Sequence, residues 1–201
     1  MSEVLRHKQQ LREELLARRD GEDAVSRATA DACIRARLET FSLFQEAQTI
    51  FCYISVGSEV DTLSIIEDML ASGKTVCAPR CEDKGVMHAQ VLTSLSELED
   101  GVMGIPEPPE NCTRIEPTDL DLVIAPCLAC DTSGYRIGYG GGYYDRYLAS
   151  VDQATTIALC RETLLHEHLL REAHDVPVDF VITDERVIPG LIPGAFRDVK
   201  P

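Results

Sequence analysis

Four glycines in five positions, Gly138-Tyr139-Gly140-Gly141-Gly142, stand between Arg136 and the pair Asp145-Arg146, with Tyr143, Tyr144 and Tyr147 interleaved. A backbone so poor in Cβ atoms can take positive φ and lie directly against a ligand. Tyr143 to Leu148 reads as the first turns of a helix, so glycine N–H groups and a helix N-terminus would converge on one spot. Such convergence attracts anions, phosphates above all. A glycine cluster by itself is equally a tight strand-to-helix connection. The flanking cation, carboxylate and aromatic rings go further, because a nucleotide carrying a metal needs each of them.

Two familiar phosphate motifs compete for this segment. The pattern G-x-x-x-x-G-K-S/T is absent, which excludes the Walker-type loop. The dinucleotide fingerprint matches at its first two glycines, and Glu162 follows the next expected strand where a ribose-binding acid would stand, but Tyr143 occupies the place of the third glycine. A nicotinamide oxidoreductase therefore stays open as an alternative, as does a nucleotide- or folate-binding protein without turnover.

Elsewhere, Lys8 and Arg12 fall at i and i+4 on an N-terminal helix, where like charges repel mildly unless an anion lies between them; a solvated helix face is the competing reading. Glu59 follows a strand within a loop. Cys127 and Cys130 form a C-x-x-C with no second pair at finger or ribbon spacing, so they read as packing residues; the eight cysteines as a whole fit reduced, small hydrophobes.

These residues need a frame, and the pattern supplies one. Residues 3–19 and 23–41 are amphipathic helices, and apolar strands follow at 49–54, 74–79, 86–92, 121–126, 155–160 and 180–183. Helices are expected at 61–71, 142–149 and 163–171, and a short helical turn at 94–99. Residues 101–117 hold GIPEPPEN, expected to stay out of any ladder because proline lacks the N–H. The order predicts an α/β fold, a three-layer αβα sandwich on a largely parallel sheet preceded by two helices, in which ligands gather beyond the carboxyl ends of strands. At 201 residues one domain is expected, with the 1–41 helical segment packed on it.

A net charge of −15 disfavours nucleic acid and anionic membrane as partners. No apolar run reaches the length of a membrane span, and the N-terminus lacks the core of a secretory signal, so a cytoplasmic protein is expected.

Taken together, Lys8-x-x-Leu11-Arg12, Ser58-Glu59-x-Asp61-Thr62, Pro79-Arg80, Gly104-Ile105-x-Glu107-Pro108 and above all Arg136-Ile137-Gly138-Tyr139-Gly140-Gly141-Gly142-Tyr143-Tyr144-Asp145-Arg146 resemble the 5-formyltetrahydrofolate cyclo-ligase family from Lys8 to about Ile188. The resemblance implies ATP- and Mg2+-dependent closure of 5-formyltetrahydrofolate, possibly polyglutamylated, to 5,10-methenyltetrahydrofolate by a monomer. It further implies that Lys8, Arg12 and the run Arg136, Ile137, Gly138, Tyr139, Gly140, Gly141, Gly142, Tyr143 and Tyr144 bind ATP. Arg136, Tyr143 and Asp145 would be catalytic. Ile54, Glu59 and Tyr139 to Tyr143 would meet the folate, and Asp145 and Asp179 would hold magnesium. Arg80 would be a further phosphate contact. The chain departs from the family at Cys127 and Cys130, where glycine and phenylalanine are more usual, and at Met103, where a tryptophan often stands.

Overall fold

The computed structural model describes residues 3–82 and 85–191, apart from the side chains at 3, 4 and 103, so the Met103 expectation and the end of the tail lie outside the described residues. Two helices come first, α1 (Glu3–Asp20) and α2 (Ala24–Glu39), the second capped by Asp23, whose carboxylate accepts from the Ser26 N–H at 2.9 Å. The helical pattern expected to run to Phe41 breaks at Thr40, and a separate short helix α3 (Ser42–Glu46) leads into strand β1 (Thr49–Cys52). Helix α4 (Leu63–Ala71) connects β1 to β2 (Thr75–Glu82), which is followed by β3 (Val86–Leu92).

The proline-rich segment is more ordered than its composition predicts. Strands β4 (Glu99–Asp100) and β5 (Pro106–Glu107) pair with Asp100 opposite Pro106, and β6 (Arg114–Ile115) joins the edge of the main sheet. Proline is admitted because this two-residue ladder makes no demand on its missing N–H. Then come β7 (Leu122–Ala125), β8 (Ala129–Asp131), β9 (Arg136–Ile137), helix α5 (Tyr143–Leu148), β10 (Thr155–Leu159), β11 (Leu165–His166), β12 (Phe180–Ile182) and β13 (Val187–Pro189).

The main sheet runs β13-β12-β10-β7-β1-β2-β3-β6, with the five strands from β12 to β2 parallel and the remainder antiparallel. Strand residues alternate faces as the two-residue period requires. Ile50, Cys52, Leu122, Ile124, Ile157 and Leu159 share one core with Ile34 and Leu38 of α2 and Ile65, Ile66 and Met69 of α4. Phe51, Val123, Ala125 and Ala158 share the other with Leu15 of α1 and Tyr147 and Leu148 of α5. The predicted three layers are present, with the two N-terminal helices on opposite faces. The α1–α2 turn passes over the carboxyl ends of the central strands, where Arg19 reaches Ser58 after β1 and Glu22 reaches Arg161 and Thr163 after β10.

The helix expected at 163–171 does not form. A 3-10 turn at Glu162–Leu164 gives way to β11, which pairs with β8, and the chain then runs irregularly. The cause is Asp131, fully buried, whose carboxylate accepts N–H groups from Ser133, Tyr135 and Leu169 and a guanidinium N–H from Arg171. Leu164 and Leu169 stay buried, so the apolar spacing that looks helical is met by an extended path across β8.

Candidate functional site

Glu59 lies in the loop beyond the carboxyl end of β1, and Arg136 reaches the Pro126 carbonyl just beyond the carboxyl end of β7. The loop after β1 is cross-linked by its own polar groups: the Thr62 hydroxyl donates to the Tyr53 carbonyl at 2.7 Å, the Ser55 N–H to Thr62 Oγ1 at 3.0 Å, and the Tyr53 hydroxyl to the Val60 carbonyl at 3.0 Å. Glu59 is thereby fixed and buried. Its Oε2 accepts from the Val56 N–H at 2.8 Å and its Oε1 from the Tyr139 hydroxyl at 2.7 Å. Arg19, at the end of α1, donates through Nη2 to Tyr139 at 2.9 Å and through Nε to Ser58 Oγ at 2.8 Å.

Arg161 holds this assembly from below. It makes a two-pronged pair with Asp31 of α2, at 2.8 and 2.9 Å, and donates to the Ser58 and Glu59 carbonyls at 2.9 and 3.1 Å. Burial pushes the Glu59 carboxyl above its ordinary range, against the opposing pull of the Tyr139 hydroxyl, the Val56 N–H and Arg19. Burial and the neighbouring Glu59 likewise push the Tyr139 phenol up. Arg19, Asp31 and Arg161 were not expected from sequence; each is an ordinary charged residue in its local pattern.

The glycine loop is held between two arginines. Arg12 donates through Nε to the Gly138 carbonyl at 2.9 Å, and Arg146 donates to the carbonyls of Gly141 at 2.6 Å and Gly85 at 2.9 Å. Gly140 (φ 96°) and Gly142 (φ 67°) are left-handed, and a Cβ would stand 3.3 Å from the Arg12 guanidinium at the first and 2.9 Å from Arg146 at the second. A side chain at either position would be strained by the positive φ. Tyr143 lies partly exposed at the start of α5, with the Arg146 guanidinium 5.7 Å from its ring centre.

Arg136, on β9, is almost wholly enclosed. Its Nη2 donates to Asp145 Oδ1 at 3.3 Å and its Nη1 to the Pro126 carbonyl at 3.3 Å, while Nε is buried without a partner among the described residues. Arg19 Nη1 is orphaned in the same way. Two buried guanidinium N–H groups without acceptors are what an anion-binding site looks like when empty of protein acceptors. Asp145 Oδ1 also accepts from the Val176 N–H at 3.2 Å, which leaves Oδ2 without a hydrogen-bond partner among the described residues and the side chain partly exposed.

Four expected residues are placed differently from the rest. Lys8 is buried, not on a solvated face, and its ammonium is paired with Glu172 at 3.2 Å and with Asp175. Ile54 is a core residue, only 3% exposed. The Tyr144 ring stacks on Phe51 with 6.1 Å between centres, its hydroxyl buried without a partner. Asp179 is fully buried and accepts the Thr156 N–H and hydroxyl, both at 2.8 Å, at the start of β12, the opposite end of the parallel strands from Glu59. Only Asp145 of the two expected magnesium carboxylates stands at the glycine loop. Arg80 donates to the Pro108 carbonyl at 2.6 Å and so anchors the proline-rich segment. Glu162, the ribose acid of a dinucleotide reading, pairs instead with Arg186 at 2.6 Å.

Comparison with known proteins bears on the same residues. The family model of the 5-formyltetrahydrofolate cyclo-ligase family matches residues 4–184. The chain is 32% identical over 194 residues to the 5-formyltetrahydrofolate cyclo-ligase of Mycolicibacterium smegmatis, covering 92% of this chain and 98% of the relative. It is 30% identical over 190 residues to the enzyme of that name from Mus musculus, covering 89% and 94%. The solution structure of Aquifex aeolicus 5,10-methenyltetrahydrofolate synthetase superposes with a TM-score of 0.82 at 28% identity, covering 96% of this chain and 95% of that one.

Proposed function

The chain belongs to the 5-formyltetrahydrofolate cyclo-ligase family, and from that premise we propose that it closes 5-formyltetrahydrofolate to 5,10-methenyltetrahydrofolate, consuming ATP with Mg2+ and releasing ADP and phosphate. A formamide carbonyl is a poor electrophile and its oxygen a poor leaving group. Transfer of the γ-phosphoryl group to that oxygen converts it into one that can depart as phosphate when N10 attacks the carbon. The protein's contribution is alignment and charge stabilisation.

The roles follow from the site's charges. Arg136 and Arg12, with the Gly140 to Gly142 amides, receive the phosphates; Tyr143 lines the junction of nucleotide and folate. Glu59, fixed by Tyr139 and Val56, meets the donor edge of the pterin, with Ile54 forming the wall beneath it. Asp145, with Oδ2 open, is the carboxylate offered to magnesium, which when bound would screen the phosphate charge. Asp179, whose Oδ2 is held by the Thr156 N–H and hydroxyl, supports β10 against β12 in this reading. Lys8 serves the phosphates by exchanging Glu172 and Asp175 for them. The described residues contain no helix long and apolar enough to cross a membrane, and we assign a soluble, single-unit enzyme acting on a free small molecule.

The observation that carries this reading is the buried, unpaired Arg136 Nε behind a glycine loop that Arg12 and Arg146 hold open. Incubation with 5-formyltetrahydrofolate and Mg-ATP should yield the methenyl chromophore and ADP in equal amounts. Nucleotide binding without either product would leave only a binding protein, and NAD(P)-dependent hydride transfer would replace the reading altogether.

A further inference from the structure

Three thiols, the C-x-x-C pair Cys127 and Cys130 and the distant Cys160, meet behind the glycine loop. Cys127 and Cys130 bracket the turn from β7 into β8, and Cys160 follows the last residue of β10; their sulfurs all lie within 4.8 Å of one another. Cys127 is partly exposed, while Cys130 and Cys160 are buried. Metal-bound thiolates about 2.3 Å from one ion stand about 4 Å apart in a trigonal site. The trio is therefore close to ligating geometry as folded.

The surroundings fit thiolates better than an apolar core would. Arg136, whose backbone is paired with Cys130 across β8 and β9, and Arg19 both place positive charge near Cys127. The Cys127 thiol donates to the Leu159 carbonyl at 3.3 Å, which ties the C-x-x-C turn to the end of β10 beside Cys160.

The donor set selects the ion. With three sulfurs and no histidine or carboxylate in the group, hard cations such as Mg2+ and Ca2+ are excluded. Soft, closed-shell cations remain: Cu(I), which is content with three sulfurs, and Zn(II), which would take a fourth, exogenous ligand on the exposed side at Cys127. Binding exchanges three thiol protons for the ion. The resulting complex carries −2 with Cu(I) or −1 with Zn(II), which Arg136 and Arg19 offset. We propose that Cys127, Cys130 and Cys160 form a three-thiolate site for a thiophilic metal ion, Cu(I) or Zn(II), at the base of the glycine loop.

The test uses the reduced, metal-free full chain, titrated separately with Cu(I) and Zn(II) against a chromophoric chelator, with X-ray absorption on the loaded protein. One equivalent should bind, with three sulfur scatterers at about 2.3 Å. Uptake of copper alone or zinc alone supports the site and names its ion. Cys127→Ser, Cys130→Ser and Cys160→Ser should each weaken binding at least about a hundredfold, whereas Cys112→Ser, outside the trio, should not. Cys127→Ser, at the one partly exposed position of the trio, keeps the measurement valid if the variants at the two buried positions unfold. Failure of both ions to bind, retention of full affinity in Cys127→Ser, or fewer than three sulfurs on the ion would overturn the proposal. None of these readouts depends on cyclo-ligase activity.

Discussion

The two walls of the site differ in completeness. On the Glu59 side the polar groups hold one another, carboxylate to phenol, phenol to Arg19, backbone carbonyls to Arg161 and Arg161 to Asp31, and of these groups Arg19 Nη1 alone lacks a partner among the described residues. On the Arg136 side, among the described residues, a buried guanidinium lacks an acceptor at Nε and Asp145 leaves Oδ2 open. A wall that closes on itself presents a fixed shape, suited to reading a rigid pterin. A wall with unspent donors and an open carboxylate is completed by its ligand, which suits a polyanion that arrives with a metal. The difference predicts that damage to the open wall appears in nucleotide binding and turnover, and damage to the closed wall in stability and folate recognition.

The largest effect should come from the open wall. Arg136→Ala removes the enclosed cation and the Asp145 partner together, so turnover should fall by about 10²–10³-fold, the range seen when one preorganised charge-stabilising donor is deleted. KM for ATP should rise while that for 5-formyltetrahydrofolate changes little. Equal losses for both ligands would erase the distinction between the walls.

Next is the closed wall. Asp31→Asn breaks the two-pronged contact to Arg161, whose side chain is only 3% exposed, and leaves a buried cation with carbonyls and the more distant Glu22 at 3.6 Å. Loss of one partner from a buried pair typically costs about 3–5 kcal/mol; with two carbonyls retained, about 2–3 kcal/mol is expected, read as a lower urea midpoint. Here KM for folate should rise and KM for ATP should not. An unchanged midpoint would mean that Arg161 does not organise this wall.

How far the two walls were legible in sequence follows the same division. The open wall is nearly contiguous, Arg136 to Arg146, so its glycines and charges declare themselves in one stretch. The closed wall draws Arg19, Asp31, Ser58 and Arg161 from separate elements and takes Tyr139 from the glycine stretch, and only the fold brings them together. Arg19 sits in a charged helix end, where a solvated face is the ordinary reading. The five parallel strands were legible because both faces are buried and their apolar runs are continuous. The 163–171 segment was not, because the side chain that diverts it, Asp131, lies more than thirty residues upstream. Cys160 escaped the C-x-x-C for the same reason.

Lys8 tests whether the boundary between the walls is fixed. Its ammonium, 2% exposed, is now held by Glu172 and Asp175. If it passes to phosphate when ATP enters, Lys8→Met should raise KM for ATP about tenfold, equivalent to about 1.4 kcal/mol. A lowered Tm with KM for ATP unchanged would make it only a strap between α1 and the 172–175 segment.

The smallest effect concerns the one carboxyl of the closed wall whose proton affinity the fold raises. Burial shifts Glu59 upward, so between the ordinary carboxylate value and its raised value the folded protein binds more protons than the unfolded chain. Stability contributed by Glu59 is therefore greatest at low pH and declines as pH rises through that window, by at most about 1.4 kcal/mol per pH unit. Glu59→Gln cannot titrate. The difference in Tm between wild type and Glu59→Gln should move against wild type as pH rises from 4 towards neutrality, and should level off once Glu59 is fully ionised. A difference that is flat across the range would mean that Tyr139, Val56 and Arg19 cancel the effect of burial. An opposite slope would mean that they exceed it, making this wall a site built for a carboxylate anion from the outset.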